Sequence, residues 1–321
     1  MSATLAIVLP VFAVILLGYG LGRTRLFGEE ATRVLTNFCF FVTIPALLFR
    51  SMARLEAPHG DALLIVFAFY AAVLATFALG MAAGRLVFGM KLHEQALFAV
   101  GGTYSNILLL GLPLSITAFG EQAVLPASAL LALQSPILFS LTSIVVEIGR
   151  GAGGKEGGGN SGVLAILGTA ALSLVKTPIL VAMVAGVVWG LTGFGLHPIV
   201  DRSLGFLGQA ATPTALFALG ASLTRFSIGG DLRQVAALGV LKLVVLPVAC
   251  FVSAQYVFQL APLYVAIAAL CGAMPTGVTA FVLAMRYELL VARIAASVIV
   301  TSAIAWVIAA ALLAIFLPQL S

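Results

Sequence analysis

Apolar residues run through this chain in stretches of about 20, the length that carries a helix across the hydrocarbon core of a bilayer. Within these stretches no polar face returns every three or four residues, as it would on a helix covering a water-soluble core. The pattern predicts about ten spanning helices. They lie near residues 3–22, 34–51, 62–86, 95–118, 124–148, 175–194, 199–223, 232–258, 263–285 and 290–317. Between the fifth and sixth, residues 149–162 read Gly-Arg-Gly-Ala-Gly-Gly-Lys-Glu-Gly-Gly-Gly-Asn-Ser-Gly. That composition predicts a flexible loop. The chain therefore divides into a first five-span half at 1–148, a loop at 149–174 and a second five-span half at 175–321.

Five is an odd number, so the second half starts on the opposite side of the membrane from the first. If the halves are related, they form an inverted repeat. Moving residues 10–49 forward by 168 lays Pro10 on Pro178, Gly18 on Gly186, Gly22 on Gly190, Phe38 on Phe206, Pro45 on Pro213 and Phe49 on Phe217. Coincident leucines would mean little in so apolar a chain. Two prolines and two glycines at one offset carry more weight.

The fourth and ninth spans do not read as ordinary helices. The fourth contains Val100-Gly-Gly-Thr-Tyr-Ser-Asn-Ile-Leu-Leu-Leu-Gly-Leu-Pro113, and the ninth Leu270-Cys-Gly-Ala-Met-Pro-Thr-Gly-Val-Thr-Ala280. An offset of 170 puts Gly102 over Gly272 and Ser105-Asn106 over Pro275-Thr276, so the interruptions match. Proline removes a backbone donor and disfavours helix before it, and glycine weakens helix. In hydrocarbon, unwound backbone survives only inside protein or beside a water-filled cavity. Two broken segments, one per half, predict a central binding site whose half-helix amino ends favour an anion. The plainer reading is two kinked helices packed through small residues. Kinks alone give no reason for Thr103, Ser105 and Asn106 at one depth.

Composition agrees with a bilayer as solvent: 62% of the 321 residues are hydrophobic and 8% charged, against about 25% charged in soluble domains. The net charge of +5 reads as cytoplasmic loops rich in Lys and Arg, not as nucleic-acid binding. With the amino terminus outside, twelve Lys and Arg fall inside, Arg50, Arg54 and Arg202 fall outside, and Lys242 is embedded, accounting for all 16. This predicts amino and carboxyl termini both outside, in the cell (inner) membrane. Met1-Ser-Ala-Thr4 has no basic stretch of the kind that opens a secretory signal.

All eleven acidic residues fall at span ends or in loops. A cation-coupled antiporter would keep carboxylates at the midplane. Lys242, in Gly239-Val-Leu-Lys-Leu-Val-Val-Leu-Pro247, either draws anions toward the cavity, steadies the crossing helices, or snorkels to the cytoplasmic interface. Cys39, Cys250 and Cys271 read as small buried hydrophobes, and His59, His93 and His197 as solvated residues without metal spacing. The chain carries no zinc-protease pair, nucleophile elbow or phosphate loop, so an enzyme, a catalytic residue and a cofactor are not expected.

Thr103-Tyr-Ser-Asn-Ile-Leu-Leu-Leu-Gly-Leu-Pro113 and Ala273-Met-Pro-Thr-Gly-Val-Thr-Ala-Phe-Val-Leu-Ala284 resemble the two crossover segments of the auxin efflux carrier family, the PIN-type carriers of plants and their bacterial relatives. Thr36-Asn-Phe38 with Ile44-Pro-Ala-Leu-Leu48 resembles that family's second helix, Leu133-Gln-Ser-Pro-Ile137 its fifth, and Lys242 lies where the family often has a basic residue. The resemblance implies ten helices in a transport bundle and a dimerising bundle, a homodimer, and movement of an organic anion by an elevator-like motion. It also implies a substrate site at Thr103, Tyr104, Ser105, Asn106, Gln134, Ser135, Pro275, Thr276 and Gly277. Asn106 and the backbone after Pro275 would hold the carboxylate. The plant carriers have an acid–lysine pair on the third helix; here Asp61 matches the acid and Ile65 takes the lysine position. The short central loop points to a prokaryotic carrier of a different substrate, such as the dicarboxylate malonate. Competing expectations are a cation-coupled carrier of the same fold and a membrane receptor that binds without transport.

Overall fold

The computed structural model describes residues 3–54, 61–150, 178–226 and 229–320. Among these the chain is helical throughout, apart from connecting turns and one isolated antiparallel bridge between Ser105 and Thr276. In chain order the helical segments are α1 (Ala3–Gly22), α2 (Glu29–Ala53), α3 (Asp61–Leu86), α4 (Leu92–Thr103), α5 (Ile107–Phe119) and α6 (Val124–Arg150). After the undescribed stretch come α7 (Pro178–Leu191), α8 (Pro198–Leu223), α9 (Leu232–Val257), α10 (Pro262–Gly272), α11 (Val278–Tyr287) and α12 (Val291–Leu320). Among the described residues six helices are long and apolar enough to cross a membrane: Glu29–Ala53, Leu64–Leu86, Glu121–Gly149, Pro198–Leu223, Leu232–Val257 and Val291–Leu320.

The expected fourth and ninth spans are each two shorter helices, α4 and α5, and α10 and α11. The second span starts earlier than hydropathy suggests, at Glu29 rather than near residue 34. Glu29 and Glu30 occupy its first turn, where acidic side chains meet the positive end of the helix dipole. Polar but favourable helix starts of this kind are invisible to an apolar count. The glycine-rich loop at 149–174 lies almost wholly outside the described residues.

Proline shapes the long helices in one repeated way. Wider π turns at Cys39–Thr43, Ile107–Gly111 and Leu241–Val245 each end two residues before a proline: Pro45, Pro113 and Pro247. A proline ring would collide with the carbonyl four residues back and leave it without a donor. Opening the preceding turn makes room without ending the helix.

Close packing rests on glycine. α1 lies along α8, and the second half of α2 lies along α7. A Cβ on Gly18 would sit 2.3 Å from the Phe217 carbonyl oxygen, and one on Gly186 would sit 2.6 Å from that of Phe49. One on Gly22 would meet Ala221 Cα at 2.8 Å, and one on Gly190 the Ala53 carbonyl oxygen at 3.2 Å. α2 and α8 run antiparallel, tied at both ends. Arg50 donates to both carboxylate oxygens of Asp201 at 2.9 and 3.2 Å, and Arg54 adds a third bond. At the other end the Arg225 guanidinium donates to the Glu29 carbonyl oxygen at 2.5 Å.

The remaining helices enclose the broken pair. α3 packs on α4 and α9, α4 on α6, and α10 on α9 and α12. The outside is apolar, with Leu16, Leu17, Phe67, Val181, Val184 and Phe206 all exposed. Water would not tolerate such a coat, and lipid does.

Candidate functional site at the crossing of the broken helices

α4 ends at Thr103, whose hydroxyl turns back to the Ala99 carbonyl at 2.8 Å. Tyr104 then leaves the helix with φ −73 and ψ 108, and Asn106 lies at φ −78 and ψ 63. On the other side α10 ends at Gly272, and Gly277 is extended at φ −71 and ψ 143. The two unwound pieces pass antiparallel. The Asn106 N–H donates to the Pro275 carbonyl at 2.9 Å, and the Gly277 N–H to the Tyr104 carbonyl at 2.9 Å. Gly277 is a steric necessity here, since a Cβ would fall 2.7 Å from Tyr104 Cδ1.

Unwound backbone buried in a membrane protein must find partners, and neighbouring side chains supply them. Gln134 on α6 acts as a substitute strand: its Oε1 accepts from the Ser105 N–H at 3.2 Å and its Nε2 donates to the Ser105 carbonyl at 2.7 Å. Thr301 on α12 accepts from the Thr276 N–H at 3.0 Å, while the Thr276 hydroxyl donates to the Gly101 carbonyl at 3.0 Å and lies 3.1 Å from Ser297 Oγ. The Tyr104 hydroxyl meets Ser135 Oγ at 2.5 Å.

Two polar atoms are left over. Asn106 Nδ2 and Ser105 Oγ are buried and have no partner, although Asn106 is only 5% and Ser105 0% exposed. The Asn106 amide orientation is set by its other atom, because Oδ1 accepts from the Leu109 N–H at 3.3 Å. Nδ2 is therefore a donor without an acceptor. On the other strand of the crossing, past Gly277, α11 begins at Val278, and the N–H groups of Val278 and Thr279 carry no bond among the described residues. A helix start leaves such groups free and adds the positive end of its dipole. The crossing thus presents spare donors, as a carboxylate or other oxyanion requires.

All nine residues expected at the substrate site lie on or against this crossing, but their free groups differ. The hydroxyl of Thr103, the amide of Gln134 and the N–H groups of Thr276 and Gly277 are already bonded. The first two N–H groups after Pro275 are thus engaged, and the free ones follow at Val278 and Thr279. Lys242 does not snorkel: it is 0% exposed, and its Nζ donates to the Gly272 carbonyl at 2.5 Å. Asp61 opens α3, with its side chain outside the described residues, and Ile65 is buried. The three cysteines are buried and free. Ser297, Thr301 and Thr279 were not anticipated. The available signal was Ser297 and Thr301 one helical turn apart in an apolar run.

A family model described as membrane transport protein matches residues 4–313. The chain is 25% identical to a candidate malonate transporter of Rhizobium meliloti (strain 1021), over 94% of this chain and 92% of the relative. It is 25% identical to the uncharacterised transporter YfdV of Escherichia coli (strain K12), over 87% of each. It is 24% identical to auxin efflux carrier component 8 of Arabidopsis thaliana, over 57% of this chain and 60% of that one.

Proposed function

We propose that this chain, which belongs to the membrane transport protein family of the auxin efflux carriers, is a multi-pass carrier that moves a small organic anion by alternating access. The observation that carries this reading is the unpartnered Asn106 Nδ2 inside the crossing. A buried donor without an acceptor is costly, and an anion that arrives and leaves is the natural occupant. A mono- or dicarboxylate fits the spare donors. Malonate is the first candidate, because a relative matched over most of both chains is named for it.

Ten transmembrane helices in two inverted five-helix halves, 1–148 and 175–321, are part of the proposal. Contacts related by the offset of 168 support it: Gly18 on Phe217 answers Gly186 on Phe49, and Gly22 on Ala221 answers Gly190 on Ala53. An inverted repeat lets one sequence form two mirror-related states, open to opposite sides of the membrane. In this reading the crossing rides with one bundle, elevator-fashion, past the bundle held by α2 and α8. The protein is a homodimer in the cell membrane with both termini outside.

The test is ligand-dependent thermal stabilisation of the purified protein across mono- and dicarboxylates. Wild type should be stabilised by at least one, with malonate tried first. Asn106→Asp keeps the acceptor that caps Leu109 and puts an oxygen in place of the spare donor, so it should fold and lose the shift. Equal stabilisation of wild type and Asn106→Asp would remove the site from this crossing.

A further inference from the structure

Among the described residues Lys242 is the only charged side chain that is buried. It sits within the π turn Leu241–Val245 of α9. An ammonium has three protons to donate, and here it finds one acceptor, the Gly272 carbonyl at 2.5 Å. None of the ion pairs of the described residues includes it. The ionisable groups beside it are the Cys250 and Cys271 thiols, which do not supply a carboxylate's charge. Gly272 is the last residue of α10, so the ammonium lies at the negative end of a half-helix dipole. That end favours the ammonium form and supplies no full negative charge to pair with it.

Its position relative to the crossing is specific. Gly272 precedes the unwound Pro275 by three residues. The neighbouring Leu241 packs on the other broken helix, where a Cβ on Gly102 would meet Leu241 Cβ at 3.0 Å. The π turn that carries Lys242 thus reaches both broken helices, through Leu241 on α4 and through Lys242 on the end of α10, and Asn106 and the start of α11 belong to the same crossing. An embedded ionisable residue is costly, and in a transporter it is a functional hypothesis by default.

We infer that Lys242 is the fixed counter-charge of the carried anion: from behind the crossing, and without touching the substrate, it sets how strongly the site prefers ligands by their charge. The inference rests on the anion site proposed above. A carrier of this design needs no co-bound cation to offset its cargo, because the cation is covalently part of α9. Lys242 is accordingly a positioning charge rather than a ligand. Coulomb interaction acts through a low-dielectric interior over distances at which a hydrogen bond does not.

The experiment is a binding series by titration calorimetry at neutral pH and constant ionic strength. It uses full-length wild type, Lys242→Met and Lys242→Arg. The probes are malonate with two charges, monomethyl malonate with one, and malonamide with none. Wild type should bind them in order of charge. Lys242→Met should lose about tenfold in affinity per unit of ligand charge and leave malonamide unaffected, and Lys242→Arg should restore the order. A purely structural role would weaken all three probes alike, and that result overturns the proposal. If Lys242→Met does not fold, the wild-type order decides, since equal affinities across the series also overturn it. Wild type that binds neither anion removes the site itself, and Lys242's role with it.

Discussion

Asn106 shows how a residue can be both structural and open for business: its Oδ1 caps the turn at Leu109 while its Nδ2 has no protein partner. Gln134 looks equivalent in sequence, a lone amide among apolar residues, yet both its polar atoms are spent on Ser105. The sequence placed both residues at the crossing. It could not say which amide was spare, because that depends on partners far away in the chain. Gly277 offers a sharp check at this scale. Gly277→Ala would push a methyl group into the Tyr104 ring, which must then shift from Ser135. Overpacking of this kind costs about 1–3 kcal/mol. The expected outcome is a lower melting temperature together with weaker malonate binding, measured by thermal shift with and without ligand. An unchanged protein on both counts would mean that the ring is not held as described.

At the scale of elements, glycines 168 residues apart make comparable close contacts, Gly18 on Phe217 and Gly186 on Phe49. Glycines let α1 and α8, and α7 and α2, approach until carbonyl oxygens lie against them. Gly18→Leu and Gly186→Leu should therefore damage the protein to a similar degree, while Gly20→Leu, with nothing within 4 Å of its Cβ position, should not. Fluorescence-detected size-exclusion profiles of the three variants would show it; an intact peak for Gly18→Leu and a lost one for Gly186→Leu would break the equivalence. Most helices were legible because hydrocarbon imposes a length and a composition on them. The exceptions have physical reasons. Glu29 and Glu30 extend α2 through a favourable polar turn, and the π turns before Pro45, Pro113 and Pro247 leave hydropathy unchanged.

On the scale of the whole molecule, the site and the proposed symmetry make one argument. Each half contributes one broken helix, and the two unwound pieces bond to each other through Asn106 with Pro275 and Gly277 with Tyr104. Side chains from α6 and α12 then saturate most of what remains, so the few free donors stand out against a satisfied background. The matching interruptions were readable from Gly102, Asn106, Gly272 and Pro275. The hydroxyls of Ser297 and Thr301 were not, since serine and threonine inside apolar helices usually bond only to their own backbone. A receptor could use the same crossing but has no need of the two opposed halves proposed above. Counterflow separates the two most directly. Proteoliposomes filled with unlabelled malonate and given a trace of labelled malonate outside should accumulate label transiently with wild type and not with Asn106→Asp. Binding without accumulation, or equal accumulation by the variant, would contradict a carrier built around this crossing.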